Sequence, residues 1–338
     1  MDWEQRSLRT GALVLLFAVV LRLACASGLA ARVQALDMTD LVSAFLLLEA
    51  GRTVKMPPPE EPTVPTQATE PVLPEVSQNP KLPAVFSRED LGLLEINNLS
   101  GYDIDPERIL KQTLSWDLTR EGPAVLILHT HATESYRNTE AYIETAQFRT
   151  LDENCNMLSI GAELARLLEE GGIQVIHDTA LHDGVSYNDA YYNSRKAVQE
   201  YLQLYPSIRL VLDLHRDAAE DAQGEQIAYT SVLGGETAAQ IMIVAGSDAG
   251  GLAYPNWRQN LAVGVKLQTL LQRRNPGICR PLSLRSQRYN QDLHPAALLI
   301  EVGAAGNDRQ QALAAVGALA EGILDMAQGT VWDDTADG

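Results

Sequence analysis

The chain has 338 residues and a mass of 36.9 kDa, which allows two domains or one domain with tails. Apolar residues make up 46% and charged residues 21%, so a sizeable part can bury a core. Lys+Arg total 26 against 44 Asp+Glu, a formal charge of -18; no cation excess is left to displace phosphate counterions, which excludes a nucleic-acid binder. Cys25, Cys155 and Cys279 lie too far apart for a disulfide framework or a Cys-type zinc site, and collagen-like and multi-span membrane classes are also excluded.

Residues 11–31 (GALVLLFAVVLRLACASGLAA) form the one stretch long enough for a bilayer, which takes about 20 helical residues; Arg22 interrupts it. Arg6 and Arg9 precede it and orient the N-terminus to the cytoplasm. The competing reading is a cleaved signal peptide, with its apolar region at 12–21 and a small-residue site near Ala24-Cys25-Ala26-Ser27. A buried core helix is the bland alternative. We rank the anchor first, and both it and the signal peptide put the rest of the chain outside the cytoplasm. Residues 38–50 predict a short amphipathic helix stopped by Gly51. From Lys55 to Pro83 prolines recur at a density that favours extended, solvated chain, read as a semi-rigid spacer. The expected organisation is therefore a cytoplasmic tip and anchor (1–31), a short helix and Pro-rich linker (32–85), a catalytic domain (86–330) and a loose acidic tail (331–338).

Residues 124–128 (AVLIL) predict a buried central strand. Residues 156–170 predict a helix ended by Gly171-Gly172, 173–176 a strand, 188–204 a helix with Pro206 beyond it, and 208–214 (IRLVLDL) another buried strand. Two strands at 227–232 and 240–245 are expected to be joined through Gly234-Gly235. A helix at 256–272, strands at 278–284 and 296–300, and an Ala/Leu-rich helix at 308–327 complete the series. Strands alternating with helices imply an α/β fold: a mostly parallel sheet covered by helices on both faces.

Sites in open α/β sheets form beyond the carboxyl ends of the strands. Three predicted strands run into ionisable residues: LILHTHATESY with His129, His131 and Glu134; LVLDLHRDA with Asp213, His215, Arg216 and Asp217; and ALLIEVGAAGN with Glu301. One histidine at a strand end is usually a half-exposed polar residue, but three such ends make coincidence the weaker reading. His131-Ala-Thr-Glu134 is an H-x-x-E step, a weak signal alone, and His215 supplies a third ligand downstream. Two imidazoles and a carboxylate leave a tetrahedral zinc with one open position, the catalytic pattern. Zinc lowers the pKa of its water to about 7, and Glu301 is the candidate general base. The same order of residues occurs in zinc carboxypeptidases. Glu153 is the alternative third ligand, ranked behind Glu134. His129 shares strand parity with His131 and reads as supporting the ligands or facing substrate, with a structural role equally open. Arg280, Arg285 and Arg288 cluster near a strand end, where they bind a carboxylate bidentately or balance local acids. His177, His182 and His294 read as surface or loop residues, Asn154 and Asn156 as helix caps, and Cys155 and Cys279 as buried small residues.

The strings VLILHTHATESY, SYNDAYYNSRKAVQEYL, VLDLHRDA, NWRQNLAVGVKLQ and ICRPLSLRSQRYNQDLHPAALLIEVGAAGN resemble the stage II sporulation protein P family over roughly 86–327, and the anchor and spacer resemble its layout. The resemblance implies a zinc amidase or carboxypeptidase-like domain: a zinc-dependent peptidoglycan hydrolase of endospore-forming bacteria. It would cleave the N-acetylmuramoyl-L-alanine amide bond, with additional cross-link endopeptidase activity. It would work at the septal, engulfing membrane of the mother cell beside stage II sporulation proteins D and M. His131 matches the second histidine of the family's HTH-x-x-E motif, His215 its LHRD motif and Glu301 its IEVG motif. Glu134 falls on a motif position, its ligand role resting on spacing. Asp213, Arg216, Asp217, Arg285, Arg288 and Asn290 complete the expected substrate-contacting or supporting set. One departure is visible, since the family tends to read YNQHLSP where this chain has Tyr289-Asn290-Gln291-Asp292-Leu293-His294-Pro295. If that family histidine binds substrate, Asp292 or His294 must replace it. Glu301 is expected to deprotonate the zinc-activated water that attacks the amide carbonyl, then to pass the proton to the leaving amine. Two other classes stand beside this one: a catalytically inactive wall-binding scaffold, which the intact His131, Glu134, His215 and Glu301 set argues against, and a zinc carboxypeptidase acting on stem peptides.

Overall fold

Short runs of apolar residues, each too brief for a helix, build the centre of the molecule. The structure is a computed structural model that describes residues 82–137 and 148–335. The predicted anchor, the helix at 38–50 and nearly all of the Pro-rich spacer lie outside the described residues. Among the described residues no helix is long and apolar enough to cross a membrane.

The strands, in chain order, are β1 Ala84–Phe86, β2 Ile96–Asn98, β3 Val125–Leu128, β4 Val175–His177, β5 Leu210–Asp217, β6 Thr230–Leu233, β7 Glu236–Ala239, β8 Ile241–Ala245, β9 Leu282–Leu284, β10 Ala297–Ala304 and β11 Thr330–Trp332. The helices are α1 Pro106–Leu110, α2 Met157–Glu170, α3 Ala190–Leu204, α4 Trp257–Arg274 and α5 Arg309–Asp325. The main sheet runs β2-β9-β8-β10-β5-β3-β4. Its neighbours are parallel except β10 and β8, so the sheet is mixed, a refinement of the mostly parallel expectation.

Alternation along the strands sorts the core. Val125 and Ile127, Leu210, Leu212 and Leu214, and Leu298, Ile300 and Val302 share one cluster with residues of α2, α4 and α5. Leu126, Leu128, Val211 and Ala297 face the other way, against Val198 of α3. Met242, Val244 and Leu299 on that second face meet Tyr289 from a turn instead of a helix. Helices thus cover both faces, but unequally.

Local signals explain most boundaries. The Asn156 side chain accepts the Leu158 amide and caps α2. Asp308 and Gln311 form a reciprocal capping box that starts α5. Three expectations need correction. Gly234-Gly235, at φ 58° and 92°, does not lead into the strand at 241–245; it closes a separate antiparallel hairpin of β6 and β7. A two-residue turn with both φ values positive suits a hairpin, and β8, apolar and buried at every position, belongs in the main sheet instead. The strand expected at 278–284 shortens to β9, because Pro281 has no amide proton to give a ladder. Val331 and Trp332, assigned to the loose tail, pair in β11 with Ala84–Phe86, part of which was assigned to the linker.

Gly161 in α2 gives a prediction with a reversed sign. Gly to Ala inside a helix ordinarily stabilises by about 0.5–1 kcal/mol. A Cβ at Gly161 would lie 2.3 Å from His129 Nε2 and 2.5 Å from His177 Nε2, whereas at Gly317 in α5 nothing lies within 4 Å. Denaturant unfolding should therefore show Gly161→Ala destabilised and Gly317→Ala unchanged or slightly stabilised.

Candidate active site

The pairing of β10 with β5 builds the site. Glu301 stands opposite His215 in the parallel register. By strand alternation His215 and Asp213 share the face of Val211, and Glu301 shares that of Leu299, so all three lie on the side with the thinner cover. Both strands run further than the sequence suggested, to Asp217 and Ala304, because they pair with each other beyond the apolar runs. His215 and Glu301 are therefore inside strands, not past their ends.

The same alternation sends His129 the other way. Following Val125 and Ile127, it turns under α2, its Nδ1 3.1 Å from the Leu214 carbonyl and its Nε2 2.9 Å from His177 Nε2. Burial, reinforced by His177, pushes its pKa down to about 3, so it stays neutral. His129 is a packed partner of His177 on the face of the sheet opposite His215. Of the two other histidines read as surface or loop residues, His177 is half-buried at the end of β4, and His182 does lie in a turn but is buried, with Nε2 2.8 Å from Asp178 Oδ2.

His131 enters through a turn beyond β3, closed by the Glu134 amide donating to the His131 carbonyl. Its ring stacks on Tyr187 at 4.1 Å, meets Tyr191 edge-on at 5.6 Å and lies 5.5 Å from the His215 ring. At the end of the motif, the buried Tyr136 hydroxyl donates to the Val302 carbonyl, tying this turn to β10 beside Glu301.

Glu134 Oε2 lies 3.4 Å from His215 Nδ1 and accepts the Arg216 amide at 3.3 Å. The Arg216 guanidinium lies 3.6 Å from Glu134 Oε1 and donates to the carbonyls of Ser135 and Phe148. Burial alone would raise the Glu134 pKa; the charges of Arg216 and His215 outweigh it and keep the carboxylate ionised. Asp213 accepts from the Thr130 amide at 2.8 Å and hydroxyl at 2.6 Å, and its Oδ1 lies 3.0 Å from His215 Nε2. Its pKa is likewise lowered, since His215 and Thr130 more than offset burial. Burial disfavours an imidazolium at His215, but the charges of Asp213 and Glu134 win and hold its pKa well above the ordinary value. Glu301 lacks such support. Burial, with a smaller push from Glu134 against the pull of His215, raises it to about 8.

Among the described residues no three His, Cys, Asp or Glu side chains already converge as a metal cage. The donor chemistry nonetheless fits zinc. The 3.4 Å between Glu134 Oε2 and His215 Nδ1 is close to the ~3.3 Å that separates two donors on a tetrahedral zinc with bonds of about 2.0–2.1 Å. His131 Nδ1, His215 Nε2 and Glu301 Oε2 are buried without a hydrogen-bond partner; His215 Nε2 lies 3.0 Å from Asp213 Oδ1 as an ion pair, not aligned as a hydrogen bond.

The other expected residues are dispersed. Glu153 is exposed before α2, so Glu134 is the carboxylate beside His215. Asp217 pairs with Arg280, which also lies over the Tyr229 ring. Arg285 donates to Ser283, and Arg288 pairs with Asp292. Asp292 also takes a bidentate contact from Arg195, while His294 accepts the Ala296 amide beside a cavity lined by Trp116 and Arg209. Both are thus engaged elsewhere. Asn290, at φ 58°, donates to the Tyr191 carbonyl and the Ser194 hydroxyl. Sequence reasoning missed Tyr187 and Tyr191; their one-turn spacing at the entry to α3 was the available signal. Asp183, which holds the Thr133 amide and hydroxyl 3.7 Å from His131 Nδ1, carried none.

The glycine of IEVG has a geometric reason. The register of β10 on β5 shifts after Glu301, and Gly303 takes φ 68°. A Cβ there would lie 2.7 Å from Asn307 Oδ1 and 2.8 Å from the Ala239 Cβ. The buried Asn307 accepts the Ala304 amide and donates to the Tyr229 carbonyl, locking the bend behind the glutamate.

Fold and site together define an α/β protein with a buried histidine–carboxylate centre set into neighbouring strands. The chain belongs to the stage II sporulation protein P family, whose model matches residues 62–324. Stage II sporulation protein P of Bacillus subtilis (strain 168) is 26% identical over 226 residues, covering 64% of this chain and 53% of that protein. The chain thus spans about half the length of the curated relative it matches. Among solved structures, an N-acetylmuramoyl-L-alanine amidase of Nostoc punctiforme aligns with a TM-score of 0.36 at 13% identity, covering 62% of this chain and 97% of that one. One from Clostridium difficile 630 aligns at 0.36 and 16% identity, covering 61% and 95%. Likenesses of that size assign no chemistry to this chain.

Removing Arg216 should be costly, because Glu134 would stay buried without its cation and two carbonyls would lose their donor. Arg216→Ala is expected to lose about 3–5 kcal/mol in chemical denaturation. Arg216→Lys should recover little, since an ammonium lacks the planar fork that spans both carbonyls.

Proposed function

We propose that this protein is a zinc-dependent peptidoglycan hydrolase that cleaves the N-acetylmuramoyl-L-alanine amide bond during sporulation, with cross-link endopeptidase activity at the same site. The observation that carries this reading is Glu301: an unpartnered, buried carboxyl oxygen, register-paired with His215 and raised to about 8. A carboxyl tuned near neutral pH can both take and give a proton. Family membership supports the wall as substrate. His131, Glu134 and His215 would hold the zinc ion, which when bound supplies a Lewis acid and a water acidified towards neutral pH. Glu301 takes the proton of the water that attacks the amide carbonyl. As the C–N bond breaks, it returns that proton to the leaving nitrogen. Arg216 keeps Glu134 ionised and fixed in place, and the Asp213 carboxylate stands 3.0 Å from His215 Nε2 as the ring's ion-pair partner.

The membrane anchor at 1–31, an extracytoplasmic catalytic domain and partnership with stage II sporulation proteins D and M belong to the same proposal. They rest on the N-terminal hydrophobic run and the family likeness.

Three measurements test it. Purified walls should be digested by the protein, and a chelator should stop digestion until zinc is restored. Mass analysis should find sugars with a free lactyl group; fragments trimmed only at the stem-peptide C-terminus would favour a carboxypeptidase. Glu301→Gln should retain zinc but lose about 10²-fold or more in rate, the scale of a lost general base, whereas His215→Ala should lose both zinc and activity. Equal zinc loss in the two variants would refute this division of roles.

A further inference from the structure

Two successive residues without the glycine exemption adopt left-handed backbone: Tyr289 at φ 49° and Asn290 at φ 58°. Such strain persists where surrounding contacts impose it. Here they come from the Asn290 side chain. Its amide nitrogen lies 2.8 Å from the Tyr191 carbonyl and 3.2 Å from the Ser194 hydroxyl. Ser194 and Thr130 are fully buried, their hydroxyls 2.8 Å apart. Thr130 holds both oxygens of Asp213, one by its amide and one by its hydroxyl, and Asp213 Oδ1 lies 3.0 Å from His215 Nε2.

The direction of these bonds follows from the acid. A carboxylate only accepts, so the single hydroxyl proton of Thr130 goes to Asp213. Ser194 then gives its proton to Thr130, and its lone pairs receive the Asn290 amide. Each rotor is fixed by the next, and the hydrogen-bonded chain ends on Asp213, whose Oδ1 stands 3.0 Å from His215 Nε2 as an ion-pair partner, on the side of the ring away from Glu134. We propose that Asn290, Ser194 and Thr130 are positioning residues, a relay that locks Asp213 and thereby sets the His215 ring so that its Nδ1 is presented beside Glu134. The strained turn thus bears on a ligand that the Asn290 side chain does not itself touch, through Ser194 of α3 and Thr130 just beyond β3. This rests on the zinc reading of the site.

The test separates positioning from packing. Asn290→Gly keeps the left-handed backbone but removes the side chain's bonds to Tyr191 and Ser194, so a purely structural asparagine predicts a shifted thermal stability with unchanged zinc binding. The relay predicts that zinc affinity of the folded variant, measured by competition with a chromogenic chelator, is weakened about tenfold or more, the usual scale for a lost outer partner of a ligand. Ser194→Ala should do the same. Thr130→Ser, which keeps the hydroxyl, should bind zinc like the unmodified protein, and Thr130→Val should not. Wall-hydrolysis kinetics should show the loss in kcat more than in KM. Zinc bound equally by all four variants and the parent would overturn the relay while leaving the hydrolase reading intact; a parent that binds no zinc would overturn both.

Discussion

The structure turns on one lateral contact, the parallel seam between β10 and β5 that sets Glu301 opposite His215. Parallel neighbours in an open sheet bring together residues distant in sequence without any loop having to reach. The apolar runs 210–212 and 297–300 fix the register by their burial, since a slip of one residue would turn Leu212 and Ile300 out of the core cluster. That register carries the polar residues with it. The bend at Gly303 and the buried Asn307 then stop the pairing from continuing straight past the glutamate.

Charge balance explains why Glu301 differs from the carboxyls around it. Glu134, Asp213 and Glu301 are gathered at one buried place, where ionisation costs several kcal/mol unless a cation or donors compensate. Arg216 compensates Glu134, and His215, drawn into its charged form, serves Asp213 and Glu134 together. No hydrogen-bond donor reaches the buried Glu301 Oε2, and the residual attraction of His215 is opposed by Glu134. The carboxyl left over therefore keeps its proton to higher pH. Its perturbation reflects the arrangement of its neighbours as much as its own burial.

Much of this was legible in the sequence. The apolar runs located every main-sheet strand from β3 onward within a few residues, and the motifs singled out His131, Glu134, His215 and Glu301. What failed did so for identifiable reasons. Strand parity assigned to His129 took no account of the turn that begins at Thr130, so a residue sharing parity with His131 in the sequence lies on the opposite side of the sheet. Pairing beyond an apolar run, which lengthens β5 and β10, depends on the partner strand and leaves no trace in either segment alone. The contacts of Asp183 and Ser194 are with residues far away in the chain, between short polar side chains that have no periodicity to betray them.

The uneven cover of the sheet gives these details a common cause. One face is closed by α2, α4 and α5, and a histidine placed there is desolvated, paired with another imidazole and held neutral. The other face has α3 over one half and only the Tyr289 turn over the other, so strand residues between them can be polar at a tolerable cost. His129 and His215 are both strand-end histidines by composition and both buried, yet their proton affinities are pushed in opposite directions. The difference lies in which neighbours the alternation supplies: an imidazole and a helix glycine for the first, two carboxylates for the second. Reactivity here is a property of the face on which a side chain falls, and that face is chosen by the buried aliphatic residues on either side of it.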